Sequence, residues 1–91
     1  NITPDLVVHE ETHTRQQNNP EEWWQRYFKD SEFRFSQEAE AYHNQYVFLK
    51  NTIKNRDTLF KYLHQISSVL SGSLYGNCVS YSEALKKVKY G

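Results

Sequence analysis

Between residues 32 and 54 the apolar positions recur with a helical period. Phe35, Ala39, Tyr42, Tyr46, Leu49 and Ile53 fall at alternating steps of four and three, and Glu38 lies three after Phe35. At about 100° per residue these positions stay within one narrow stripe, which predicts a long helix with one buried side. Glu38 sits inside that stripe. Glu40 falls about 140° from Phe35, on the polar side.

Shorter elements flank this helix. Thr3 with Pro4 at the first helical position, or Asp5 a turn later, opens a helix that runs to about Gln17. Leu6, His9, His13 and Gln16 share one face of it, while Val7 and Val8 point elsewhere. Apolar residues on more than one side of a short helix predict a central, buried element. Asn18-Asn19-Pro20 ends it, and Pro20, Glu21 and Glu22 suit the first turn of a second helix reaching about Lys29. There Trp24, Tyr27 and Phe28, at i, i+3, i+4 spacing, predict a core face, with a substrate wall as the alternative. Asp30 or Ser31 marks the boundary with the long helix.

After a polar junction at 51–56, Asp57 is the expected N-cap of a helix over 58–71 whose inner face is Leu59, Leu63, Ile66 and Leu70, with Tyr62 beside them. Ser71-Gly72-Ser73 stops it, with Gly72 after the helix end, and a turn follows near Gly76-Asn77. Ser80-Tyr81-Ser82-Glu83 matches a capping box for a last helix with Tyr81, Ala84, Leu85 and Val88 inward and Lys86, Lys87 and Lys89 outward. The expectation is a mainly α, single domain of four to five helices over 1–91, with a site-bearing core at 5–46 and a supporting C-terminal part at 57–91.

The chemistry is concentrated at His9-Glu10-Glu11-Thr12-His13, which reads H-E-x-x-H. A four-residue step on a helix is about one turn, so both imidazoles leave the same face, at the spacing that lets two neutral histidines share one Zn²⁺. Glu10, on the flank, is then a general base. The bland alternative is two polar histidines on an exposed turn. A third ligand is available in Glu38. An unpaired carboxylate in an apolar stripe costs several kcal/mol, on the order of the burial penalty for any charge, and a zinc ion would compensate it. Glu40 is the fallback. His43 and His64 fall off these faces and read as surface residues.

With Gln37-Glu38-Ala39-Glu40-Ala41-Tyr42 downstream, the chain resembles the gluzincin-type zinc metallopeptidases, in which H-E-x-x-H lies on one helix and a glutamate on a later helix completes the site. His9 to Gln16 looks like the H-E-x-x-H-x-x-Q variant, and Glu38-Ala39-Glu40-Ala41 is similar to an E-x-x-A segment. The resemblance spans residues 5–46. It implies a zincin-like helical domain, with zinc on His9, His13 and Glu38 and with Glu10 acting as base on the zinc-bound water. It also implies a sheet ahead of the motif helix, here lacking or trimmed, or supplied by a partner segment or chain. Such families often carry an acid four residues after the ligand glutamate. This chain has Tyr42 there.

Composition narrows the remaining classes. Eleven basic and eleven acidic residues balance, which argues against nucleic acid or an anionic membrane as the main partner. The lone Cys78 makes no intrachain disulfide. No apolar run approaches the roughly 20 residues that span a bilayer. The expected substrate is a peptide or protein, and Tyr42, Tyr75 and Tyr81 are the candidate donors to an oxyanion. Two further readings stay open: a non-catalytic helical interaction module stapled by a structural zinc, and the same module without metal.

Overall fold

The long helix predicted from the apolar stripe is the spine of the computed structural model, which describes residues 3–91. It is α3 (Ser31–Thr52), and the other helices are α1 (Pro4–Gln16), α2 (Pro20–Lys29), α4 (Arg56–Leu70) and α5 (Tyr81–Tyr90). A 3₁₀ turn at Ser73–Tyr75 joins the last two. Among the described residues there is no strand. A short strand before Pro4, which would be the mark of a trimmed sheet, would involve residues 1 and 2, which lie outside those described.

The helices begin where short polar side chains meet free backbone N–H groups. Asn19, Asp30, Asn55 and Ser80 each accept from the first turn of the helix that follows. The N-cap of α4 is therefore Asn55, not Asp57. Asn55 accepts from both Asp57 N and Thr58 N, a pair of bonds that places Asp57 inside the first turn. At the other end of α4 the chain leaves through Gly72, whose φ is −90°, so the left-handed turn falls later. It comes at Gly76 and Asn77, with φ of 74° and 51°. A Cβ at Gly76 would lie 2.5 Å from Ser31 Oγ, so both the left-handed backbone and the close approach to α3 call for glycine there.

α3 presents two buried faces of different chemistry. One carries Phe35, Ala39 and Tyr46 into an apolar core with Leu63 and Leu70 of α4, Tyr75 of the 3₁₀ turn, and Ala84 and Val88 of α5. The other carries Glu38, Ala41 and Gln45, all buried, and α1 packs on it. The only buried residues of α1 are His9 and Thr12. Leu6 and Val7 are 40 % and 37 % exposed. The motif helix is thus not the central buried element its apolar residues suggested. It lies on one flank of α3, and its apolar side chains are left partly in solvent.

α2 also departs from its predicted face. Trp23 is buried at 6 % exposure, whereas Trp24 and Phe28 are 45 % and 71 % exposed. The face α2 meets on α3 is polar. Trp23 Nε1 donates to Gln37 Oε1 at 2.8 Å and Tyr27 Oη donates to Glu38 Oε2 at 2.6 Å. Two aromatics four apart, each with a donor at its tip, satisfy that surface, and Phe28 has no donor to offer. On α5, Ala84 and Val88 point inward as expected, but Tyr81 is turned outward with its hydroxyl 2.7 Å from His64 Nδ1.

Candidate metal centre

α1 and α3 bring the predicted trio together. His9 Nε2 and His13 Nε2 lie 3.1 Å apart, and Glu38 Oε1 is 3.1 Å from the first and 2.9 Å from the second. The side chains retain only 9 %, 12 % and 11 % of their exposure. The helical step predicted from the sequence accounts for the two imidazoles, and the position of Glu38 on α3 brings the carboxylate between them. Glu40 is exposed and does not join the trio. His43 is turned to the far side, its Nδ1 2.7 Å from the Val88 carbonyl.

The tautomers follow from the surrounding bonds. Gln45 Nε2 donates to Asp5 Oδ2 at 2.6 Å, so its amide oxygen is the atom 3.0 Å from His9 Nδ1. Gln16 Nε2 donates to the Gln37 carbonyl at 2.9 Å and to Glu40 Oε1 at 2.7 Å, so its oxygen is the atom 2.9 Å from His13 Nδ1. Burial pushes the Asp5 carboxyl up, but hydrogen bonds from Thr3, Gln45 and the backbone outweigh it and hold it below its usual range. It accepts and does not donate. Both imidazoles must then donate from Nδ1, which leaves each neutral ring a bare lone pair at Nε2.

Three lone pairs therefore face one another across about 3 Å, the two imidazole nitrogens and a carboxylate oxygen. A proton or a cation has to lie among them. In tetrahedral zinc sites, bonds of about 2.0–2.1 Å set donors roughly 3.3 Å apart, so the triangle has the shape for zinc and needs a few tenths of an ångström of expansion. Tyr27 occupies the other carboxylate oxygen, which leaves Glu38 a single free oxygen toward the trio.

With a proton in place of metal, His13 and Glu38 form the ion pair. Burial alone pulls the His13 pKa down, but the hydrogen bonds to Glu38 and Gln16, with the charges of Glu38 and Glu10, overcome it and raise it. Burial alone pushes Glu38 up, and hydrogen bonds from His13, His9 and Tyr27 outweigh it and hold the carboxyl far below its usual range. The raised histidine contributes stability that is complete below 6.5 and lost as pH climbs through its folded value. The lowered carboxylate contributes above 4.5 and is lost as pH falls. Chelator-treated protein is accordingly expected to melt highest between pH 4.5 and 6.5. Melting temperature across that range, repeated with His13→Ala to flatten the alkaline side, checks it.

Glu10 is exposed on α1, and its charge acts on both His13 and the Tyr42 phenol. Tyr42 stands edge-on to His9, with ring centroids 4.5 Å apart. Of the other tyrosines expected near an oxyanion, Tyr75 is buried at 4 % exposure and Tyr81 is engaged by His64. With Tyr42 at that position, the far nitrogen of His9 is partnered by Gln45, which Asp5 backs. Sequence alone gives Gln16 a place on the face of His9 and His13 and Tyr27 a place on an aromatic face, but assigns neither of them, nor Gln45 or Asp5, to the support of this site. Gln45 is seven residues from Glu38 and Asp5 four from His9, so helical spacing alone would have pointed to both. For Tyr27 no such signal exists, because α2 and α3 meet only in the tertiary structure. Compared with known protein families, curated proteins and solved structures, the chain matches none.

Proposed function

We propose that this protein is a zinc-dependent peptide hydrolase, with His9, His13 and Glu38 as the metal ligands and Glu10 as the general base. The observation that carries the reading is the convergence of His9 Nε2, His13 Nε2 and Glu38 Oε1 within 3.1 Å of one another, with a glutamate directly after the first histidine. Zinc, when bound, polarises a substrate carbonyl and lowers the pKa of water to about 7. The chain's own residues supply the rest. His9 and His13 offer neutral nitrogens, and Glu38 contributes the negative charge. Glu10, exposed beside them, accepts the proton of the attacking water and returns it to the leaving amine. The Tyr42 phenol is the candidate donor to the oxyanion. Burial and the carboxylates of Glu38 and Glu10 raise its pKa, which keeps the donor proton in place.

The substrate is a peptide or protein segment. The sheet that precedes the motif helix in the resembling families would come from a partner segment or chain, and the exposed Leu6 and Val7 give α1 an apolar edge on which it could rest.

A second reading has a specific observation behind it. α1 contributes no apolar residue to the core, and its bonds to α3 are polar throughout: His9–Gln45, the Glu38 pair, Gln16 to Gln37 and Glu40, Asn44 to Thr12. A zinc ion there would staple α1 to α3 whether or not the site is catalytic. The two readings part on one experiment. Purified protein is expected to hold one zinc per chain and to hydrolyse an unfolded peptide substrate, with both lost on chelation and restored by zinc. Zinc bound without hydrolysis would leave the staple. No zinc bound would reject both.

A further inference from the structure

Each imidazole of the trio is backed by a glutamine, and each glutamine is clamped by a carboxylate at the edge of the protein. Asp5 to Gln45 to His9 forms one chain of bonds, 2.6 and 3.0 Å long. Glu40 to Gln16 to His13 forms the other, 2.7 and 2.9 Å long. We infer that Gln45 and Gln16 are positioning residues, two amide relays that lock the Nδ1–H tautomer of His9 and His13 and so keep both Nε2 lone pairs turned to the metal. The inference rests on the zinc reading.

The physical argument is one of charge placement. A carboxylate bonded directly to a ligand imidazole fixes the ring and makes it a stronger donor. In this fold that carboxylate would sit in the buried α1–α3 seam beside Glu38, where a second negative charge is expensive. Gln45 is only 3 % exposed and neutral. It spans the seam, while Asp5, at the start of α1, keeps the charge near solvent. Glu40 is exposed and does the same for Gln16. An amide held at its NH₂ end by an anion presents only its oxygen inward, and that oxygen accepts only from an N–H.

The two relays are not equally redundant. Gln16 Nε2 has a second acceptor in the Gln37 carbonyl, so its orientation survives without Glu40. Gln45 Nε2 has Asp5 as its sole side-chain acceptor among the described residues. Removing Asp5 therefore frees the amide to rotate, and removing Glu40 does not.

The test is zinc affinity, measured by competition against a chromophoric chelator, together with ¹⁵N NMR of the histidine rings in the zinc-loaded protein. In the unaltered protein both rings are expected to show a slowly exchanging Nδ1–H. Gln45→Leu is expected to weaken zinc binding by about 10–100-fold, the usual loss for an outer-shell partner of a metal ligand, and to lose the His9 Nδ1–H signal. Asp5→Ala should weaken it in the same direction, and Glu40→Ala should leave it near the unaltered value. Gln45→Glu alone sets two carboxylates against each other and should weaken binding. Combined with Asp5→Asn it should recover in part, because the amide at position 5 then donates to the carboxylate that accepts from His9, while the second charge buried beside Glu38 keeps affinity below that of the unaltered protein. A purely structural role for Gln45 would give no such recovery. Zinc affinity unchanged in Gln45→Leu, or a double variant as weak as Gln45→Glu, overturns the relay while the zinc reading stands. An unaltered protein that binds no zinc overturns the zinc reading itself, and the relay with it.

Discussion

Glu10→Gln is expected to take up zinc as the unaltered protein does and to hydrolyse peptide roughly 10²–10⁴ times more slowly, the usual worth of a positioned base. The substitution keeps the size and hydrogen-bonding reach of the side chain and removes its basicity. Glu10 is exposed and stands outside the trio, so the substitution leaves the three proposed ligands in place. Its melting temperature should move little. Zinc stoichiometry, melting temperature and initial rates on an unfolded substrate are the three measurements needed. Equal rates in the two proteins, with zinc bound in each, would take the reaction away from this site.

His13→Ala is expected to fail at the earlier step. It deletes one of the three proposed metal donors, so zinc affinity should fall by more than the roughly 10–100-fold that loss of an outer-shell partner costs. It also loosens α1. His13 joins α1 to Glu38 of α3 and holds the oxygen of Gln16, whose own bonds to Gln37 and Glu40 remain. No apolar side chain of α1 enters the core to compensate. Metal binding in a small domain is also folding free energy, so zinc-dependent gain in melting temperature should shrink with the affinity. Hydrogen exchange along α1 separates this from a global effect: protection should drop over residues 4–16 and persist in α4 and α5. Protection lost evenly over the chain would count against a locally stapled helix.

Which parts of this were legible in the sequence depends on how far apart the interacting residues lie along the chain. The face shared by His9 and His13 is a property of one helical turn and needs no tertiary information. Glu38 was separable from Glu40 because two positions on a helix differ by about 200°, and only one of them continued the Phe35–Ala39–Tyr42 stripe. The caps at Asp30 and Ser80 are likewise local, resting on a side chain and the next turn's N–H groups. Even the glutamines that back the histidines sit at helical spacings from the trio, Gln16 from His13 and Gln45 from Glu38.

Burial of individual side chains required the packed fold. α1 carries enough apolar residues to look central, yet α3 offers it a polar face of Glu38 and Gln45, and Leu6 and Val7 are left toward solvent. α2 has aromatics on nearly every side, so periodicity chose Trp24, Tyr27 and Phe28, while the hydrogen-bonding needs of Gln37 and Glu38 kept Tyr27 and set Trp23 in place of the other two. Alone, the sequence determined the helical class, the order of the helices and the residues able to meet at a metal. Tertiary structure decided which ring nitrogens turn to Glu38, because a histidine's tautomer is set by the partner on its far nitrogen, which for His9 is the distant Gln45 and for His13 is Gln16, held in turn by Glu40.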